Sequence, residues 1–170
     1  VYNENPVEVA KEFGVTVPAH PEYWTSIEEA KDKLENDDNF KLVSIRSEDE
    51  WLGKTSGYDY MDKAGEPEGA VWGKGANTAF DVAMFLNEDG TVKDLEGFKE
   101  VWKDCDFTLD NHLAFYCGTG WRATVPFLVL YENGYDNISV YDGGWYEWLM
   151  HEDYPVQVLS LIHISEPTRH

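Results

Sequence analysis

Residues 113–131 read LAFYCGTGWRATVPFLVLY, and this run combines three kinds of local sequence. The apolar residues 113–116 are typical of a buried strand. That strand runs directly into Cys117 and a glycine-rich turn. A helix is predicted over 123–131, and Asn133-Gly134 supplies a common kind of helix end. The run therefore places a cysteine between the carboxyl end of a strand and the start of a helix.

Outside this run, short apolar segments alternate with helical patterns along most of the chain. Strands are predicted over 40–45, 69–72 and 138–141, and helices over 25–35, 47–51, 95–103 and 144–150. Thr25 or Ser26 is expected to cap the first helix, with Glu28 or Glu29 at the capping-box position. This alternation predicts an α/β domain with a mostly parallel, covered sheet.

The 170 residues are enough for one domain with its own core. We expect an arm or linker over 1–24, the domain over 25–156, and a tail over 157–170, for which a non-native origin is a hypothesis. The chain begins at Val1 without a charged and then apolar leader, which suggests a processed, trimmed or fragmentary chain. This terminus does not reveal the compartment, for which a cytoplasmic location is the default expectation.

The charge of the chain limits its partners. Thirteen basic residues against 33 acidic ones give a net charge of −20, which repels nucleic acid and anionic membrane. No apolar run approaches the roughly 20 residues that a membrane span needs. If the substrate is an anion, a local site must overcome this field.

Cys117 and the residues after it could form such a local site. Backbone N–H groups of the loop and the dipole of the following helix would stabilise a thiolate. Gly118 and Gly120 would allow a tight loop and close approach of a substrate, and Arg122 would add a fixed positive charge that can hold an oxyanion. The alternative is an inert, buried cysteine, but simple packing does not require the Gly-x-Gly-x-Arg pattern that follows.

Four segments together resemble the rhodanese family, which includes thiosulfate and 3-mercaptopyruvate sulfurtransferases. They are CGTGWRA at 117–123, similar to the six-residue active-site loop; ISVYDGGWYEW at 138–148, similar to the closing segment; LVSIRS at 42–47 with Glu50-Trp51, similar to the early strand; and GEPEGAV at 65–71, similar to Gly-His-Ile-Pro-Gly-Ala. The matches follow the family order and cover about residues 25–155.

The resemblance implies a rhodanese-like α/β domain, with a mostly parallel central sheet and helices on both faces. It also implies double displacement, in which Cys117 takes a sulfane sulfur as a persulfide and passes it to cyanide or a thiol. Substrate-binding candidates are Gly118, Thr119, Gly120, Trp121, Arg122 and Arg46. For Arg46, a role in binding the donor's carboxylate competes with a structural salt bridge to Glu50 or Asp49. No cofactor or metal is expected, and a second rhodanese domain could be missing from this chain.

The departures from the family pattern leave the donor open. Ser44 stands where the family has Asp, and Gly118 stands where thiosulfate-preferring members often carry a cation. Gly118 with Thr119 is closer to the mercaptopyruvate pattern, but Arg122 fits neither pattern fully. Thiosulfate and 3-mercaptopyruvate both remain candidate donors.

Several other interpretations compete with this one. The related phosphatases use Cys-x5-Arg, whereas four residues separate Cys117 from Arg122. A rhodanese-like module that binds or regulates without catalysis is the main alternative. Residues 85–96 nearly fit a calcium-binding EF-hand loop, but Phe85 stands at the first ligand position, so an ordinary turn is favoured. Trp145 and Trp148 are expected in the core, whereas Trp121 could shape the mouth of the site or pack inside.

Overall fold

The computed structural model describes residues 17–159. The helices are α1 (Ile27–Asn36), α2 (Glu48–Trp51), α3 (Leu95–Trp102), α4 (Thr124–Glu132) and α5 (Gly144–Trp148). The strands are β1 (Phe40–Ser44), β2 (Glu66–Pro67), β3 (Val71–Trp72), β4 (His112–Tyr116), β5 (Ile138–Val140) and β6 (Val156–Gln157). Short 3-10 turns lie at Pro21–Tyr23 and Ala83–Phe85.

Four strands form the central sheet in the order β3-β1-β4-β5, and all their pairings are parallel. β4 lies at the centre, with Leu42 of β1 opposite its Ala114 and Ile138 of β5 opposite its Leu113. A separate antiparallel pair joins β2 to β6. The predicted α/β class with a mostly parallel sheet is confirmed. Because parallel strands end at the same edge, Cys117 lies at the carboxyl edge of this sheet.

Each face of the sheet carries its own apolar cluster. Alternate strand residues point to opposite faces, so Leu42, Ala114 and Tyr116 pack against α1 and α5, whereas Val43, Leu113 and Phe115 pack against α3 and α4. The helix residues that meet them include Ile27, Ala30, Trp145 and Trp148 on the first face, and Phe98, Trp102 and Leu130 on the second. Helices therefore cover both faces, as predicted, and Trp145 and Trp148 are core residues.

Serine and aspartate side chains begin three of the helices, and the cap at Ser26 is one of the two that the sequence predicts for the first helix. The Ser26 hydroxyl accepts the N–H of Glu29 at the start of α1, and Asp94 accepts the N–H of Gly97 at the start of α3. Ser47 and Glu50 form a reciprocal capping box at α2. This box is central to the site, because it fixes the buried Glu50 carboxylate.

The folded body extends beyond the predicted limits at both ends. The Tyr23 ring packs edge-on against Phe127 and Tyr131, and Trp24 donates its indole N–H to Asp142 over 2.8 Å. At the other end β6 includes Gln157, whose side chain donates to the Ala70 carbonyl over 3.1 Å. The limits at 25 and 156 therefore cut through ordered contacts. Residues 1–16 of the predicted arm and 160–170 of the predicted tail lie outside the described residues.

The segment that resembles a calcium loop is a turn. Phe85 is fully buried in the second core cluster, so it presents no ligand at the first position. Leu86 bridges Val92, and the N–H of Asn87 donates to Thr91 across the turn over 2.8 Å. This hairpin-like turn leads into α3.

Between residues 17 and 159, no helix combines the length and apolar character that crossing a bilayer requires.

Two tryptophans offer a matched test of the packing. Trp102 is buried, stacks on Phe115 and donates its indole N–H to the Gly73 carbonyl over 2.8 Å. Trp102→Ala should lower the free energy of unfolding by about 3–5 kcal/mol, because it leaves a cavity and an unpaired carbonyl. Trp121 is 82% exposed, so Trp121→Ala should change it by no more than about 0.5 kcal/mol. Urea unfolding of both variants would contradict the assigned core if the two losses were equal.

Candidate active site

Cys117 follows the last residue of β4 and is only 1% exposed. Its carbonyl oxygen accepts the N–H of Trp145 over 2.9 Å, and the Gly118 carbonyl accepts the N–H of Tyr146 over 3.0 Å. The first turn of α5 therefore holds the peptide groups of Cys117 and Gly118 by their oxygens. The cysteine is fixed at the sheet edge from two sides.

Two glycines make this contact between segments possible. Gly144 has φ +61, and a Cβ there would lie 2.5 Å from the Cys117 oxygen. Gly120 has φ +87, and a Cβ there would lie 2.8 Å from the Asp142 oxygen. Any side chain would push the loop and the Tyr141–Gly144 segment apart. The segments 117–123 and 138–148, which are distant in sequence, therefore pack directly against each other.

The loop leaves a row of backbone donors unused. Among the hydrogen bonds within residues 17–159, none uses the backbone N–H groups of residues 118–122. These groups precede α4, whose dipole adds positive potential at the same point. Unused amides beside a helix start attract a negatively charged group. The predicted substrate-binding residues of the loop are thus brought together around Cys117.

A cavity of about 340 Å³ opens beside the loop. It is lined by Tyr58, Ala79, Phe80, Asp81, Val82, Thr119, Trp121 and Arg122. Cys117 itself does not line it. The Tyr58 ring lies so close over the loop that a Cβ at Gly118 would overlap it. Trp121 is exposed at the mouth of the cavity, which is one of the two placements predicted for it.

Arg122 is not a free cation. Its Nη1 donates to Oε2 of Glu50 over 2.9 Å and to the Thr78 carbonyl over 3.2 Å. Its Nη2 donates to Oε1 of Glu50 over 3.0 Å and to the Tyr58 hydroxyl over 3.1 Å. Burial lowers the pKa of Arg122, but Glu50 and the charge at Cys117 outweigh burial and raise it overall. The expected free charge at this position is therefore replaced by a tightly paired guanidinium close to the thiol.

Arg46 lies away from the cavity, fully buried. Nε donates to Glu50 over 3.1 Å, Nη1 to Glu66 over 2.8 Å and to the Gly65 carbonyl over 2.7 Å, and Nη2 to the Ser56 carbonyl over 2.7 Å. All three nitrogens are engaged within the protein. This arrangement corrects the expectation that Arg46 meets a donor's carboxylate and supports the alternative of a structural ion pair, with Glu50 rather than the exposed Asp49.

Glu66 is the partner that sequence reasoning missed. This fully buried carboxyl group also accepts from the Ser44 hydroxyl over 3.2 Å and from the Tyr116 hydroxyl. Burial raises the pKa of Glu66 although Arg46 opposes this, and burial together with Glu66 raises the pKa of Tyr116 well above its usual value. The sequence contains a sign of this contact. Ser44 replaces an acidic residue of the family pattern, and Glu66 places an acidic residue where the family has His.

The other candidate groups lie elsewhere. His112 begins β4 and contacts the Ser139 hydroxyl over 3.1 Å. Burial raises the pKa of the Cys105 thiol, and both cysteines are free. In the part of the chain that the structure describes, no cluster of three His, Cys, Asp or Glu side chains could hold a metal ion.

Comparisons with known proteins agree with this geometry. The family model described as Rhodanese-like domain matches residues 26–151. The chain is 41% identical over 150 residues to thiosulfate sulfurtransferase YnjE of Escherichia coli (strain K12), covering 88% of this chain and 34% of the relative. Over 136 residues it is 26% identical to thiosulfate/3-mercaptopyruvate sulfurtransferase 2 of Arabidopsis thaliana, covering 80% of this chain and 37% of that protein.

Solved structures give the same result. An EanB variant with a cysteine persulfide and ergothioneine superposes with a TM-score of 0.79 at 34% identity, covering 85% of this chain and 34% of that one. The anaerobic ergothioneine biosynthesis enzyme from Chlorobium limicola, in complex with its natural substrate trimethyl histidine, gives a TM-score of 0.78 at 34% identity, covering 84% and 33%. The chain spans about a third of the length of these relatives. Because the family model covers most of the chain, the chain belongs to the rhodanese-like domain family.

Proposed function

We propose that the chain transfers a sulfane sulfur from thiosulfate or 3-mercaptopyruvate to a thiophilic acceptor through a persulfide at Cys117. The observation that carries this proposal is the free cysteine beside the unused amides of residues 118–122. A thiolate or persulfide there would meet donors already in place, which is electrostatic preorganisation. The names of the relatives support sulfur transfer as the class of reaction.

The chemistry balances in two steps. The Cys117 thiolate attacks the outer sulfur of thiosulfate, a new S–S bond forms at Cys117, and the old S–S bond breaks to release sulfite. With 3-mercaptopyruvate, the C–S bond breaks instead, and the carbon takes up a proton to give pyruvate. Cyanide or a thiolate then attacks the outer sulfur of the persulfide and restores the Cys117 thiolate. No cofactor enters either step.

The residues around the thiol would bind the donor and control its access to the sulfur. We assign the binding of the anionic donor to Gly118, Thr119, Gly120, Trp121 and Arg122, through the loop amides and the cavity wall. Because Cys117 is 1% exposed and Tyr58 covers Gly118, the donor reaches the sulfur from the cavity only when the Tyr58 ring moves aside. The alternative of a non-catalytic module predicts that the thiol never loads. The alignments cover only about a third of the length of the relatives, so a second domain of the same protein also remains a proposal.

A second candidate function concerns the acceptor. The cavity is walled by the rings of Tyr58, Phe80 and Trp121 and by the Asp81 carboxylate, which suits a flat organic cation. EanB structures include variants at a tyrosine 59 residues before, and a threonine two residues after, the cysteine that carries the persulfide. Tyr58 and Thr119 stand at the same separations from Cys117. We therefore propose trimethyl histidine as an alternative acceptor.

Sulfur loading tests the main proposal. Reduced protein incubated with thiosulfate, or separately with 3-mercaptopyruvate, should gain the mass of one sulfur atom, and cyanide should remove it. Cys117→Ser should abolish the gain because no other thiol faces the loop amides, whereas Cys105→Ser should load as the unchanged chain does. Intact mass spectrometry measures all three proteins. Loss of loading in Cys105→Ser, or no loading with either donor, would contradict the assignment.

The acceptor test starts from the loaded protein. With trimethyl histidine, the S–S bond of the persulfide R–S–SH and a ring C–H bond break, and a ring C–S bond forms. The products are R–SH and the ring thiol, so no external oxidant is needed. If trimethyl histidine is the acceptor, ergothioneine should appear in proportion to the persulfide consumed, as measured by liquid chromatography with mass detection. Consumption by cyanide but not by trimethyl histidine would restrict the function to small thiophilic acceptors. A sample without thiosulfate controls for ergothioneine carried over from expression.

A further inference from the structure

Arg122 retains one hydrogen-bond donor that the protein does not use. The side chain is only 5% exposed, and its Nε is buried without a partner among the described residues. Both terminal nitrogens, in contrast, are fully engaged by Glu50, Thr78 and Tyr58. Buried N–H groups without partners are rare in folded proteins and call for an explanation.

The residue that carries the unused donor also lines the active-site cavity. Arg122 lines that cavity together with Thr119 and Trp121. It stands five residues after Cys117, in the loop that begins at this cysteine. The same residue closes the loop whose backbone amides are also unused. An anion bound in this loop would therefore find a side-chain donor as well as backbone donors.

Glu50 determines which N–H groups of Arg122 are paired within the protein and which one is left without a partner. Its two oxygens accept Nη1 and Nη2 at 2.9 and 3.0 Å, a bidentate contact with the far end of the guanidinium. The carboxylate is itself held rigidly, because Oε2 accepts the backbone N–H and the hydroxyl of Ser47 at 2.9 and 2.8 Å, and Oε1 accepts from Arg46. Burial raises the pKa of Glu50, but the two arginines outweigh it and lower the pKa overall, so the group stays ionised.

This pairing also changes what Arg122 can do. A guanidinium matched by a carboxylate attracts a distant anion weakly, but its directional N–H still donates to an acceptor in contact. An anion at contact distance could therefore accept the Nε–H of Arg122 in addition to the backbone N–H groups of the loop.

We propose that Glu50 is a positioning residue of the active site: it holds both terminal nitrogens of Arg122 and leaves Nε–H to donate to the anion bound at Cys117. The inference rests on the proposed function, since the anion it requires is the thiosulfate donor or the persulfide. It adds to that function the residue that orients the donor group.

Arg122→Lys is the deciding variant. Lysine keeps the positive charge beside Glu50 but has no Nε–H, so thiosulfate should bind about tenfold more weakly and Cys117 should load about tenfold more slowly. Binding is measured by calorimetry in a Cys117→Ser background, where no turnover occurs, and loading by mass spectrometry, normalised to folded protein. Asp49→Asn, on the same helix and paired only with exposed Lys54, is the matched control and should change neither value.

A double-mutant cycle tests the part assigned to Glu50. Glu50→Gln should slow loading, and adding it to Arg122→Lys should slow loading no further, because both changes remove the same oriented donor. If Glu50→Gln does not fold, Glu50→Asp takes its place in the cycle. Additive effects, or unchanged binding and loading in Arg122→Lys, would overturn the inference while leaving the persulfide mechanism intact. Failure of the unchanged chain to load sulfur would instead remove the proposed function.

Discussion

The buried Glu50 carboxylate is the contact on which the arrangement of the active site depends. It joins three parts of the chain that are far apart in sequence: Arg46 after β1, the start of α2, and Arg122 at the end of the catalytic loop. Through Arg46 the same cluster reaches Glu66 and the carbonyls of Gly65 and Ser56. The long loop between α2 and β2, which carries Tyr58 over Gly118, is thereby tied to the sheet edge.

Such a cluster is favourable only when it is complete. Transferring charged groups out of water is unfavourable, and their mutual contacts together with surrounding hydroxyls and carbonyls offset that cost. Removing one member leaves its partner buried without a counter-charge, which typically costs about 3–5 kcal/mol. The cluster therefore resists piecemeal change. The structure illustrates this, since the serine at position 44 is accompanied by an acid at position 66 that contacts both Ser44 and Arg46.

Local sequence was enough to predict the fold class and the place of Cys117 at the end of a strand. The strand before Cys117, the glycine loop and the helix after it all follow from residues 113–131, and the capping residues Ser26 and Ser47 mark helix starts. The domain limits and the surroundings of the two arginines could not be read in this way. β6 pairs with β2 across about 90 residues, and Arg122 meets Glu50 across 72. No local pattern encodes these distant partners, because they are selected by the packing of the whole sheet.

The balance of charge within the cluster has a kinetic consequence. Glu50 pairs with both Arg46 and Arg122, which reduces the positive potential that these two arginines project into the solvent. The surplus of 20 negative charges on the chain is then what an approaching dianion encounters first. Most charged substrates are captured more slowly as salt is added, because screening weakens their attraction. For the proposed anionic donor, salt would instead screen a repulsion, so its encounter with the site would become faster as ionic strength rises, whereas an uncharged or cationic acceptor would gain nothing from it.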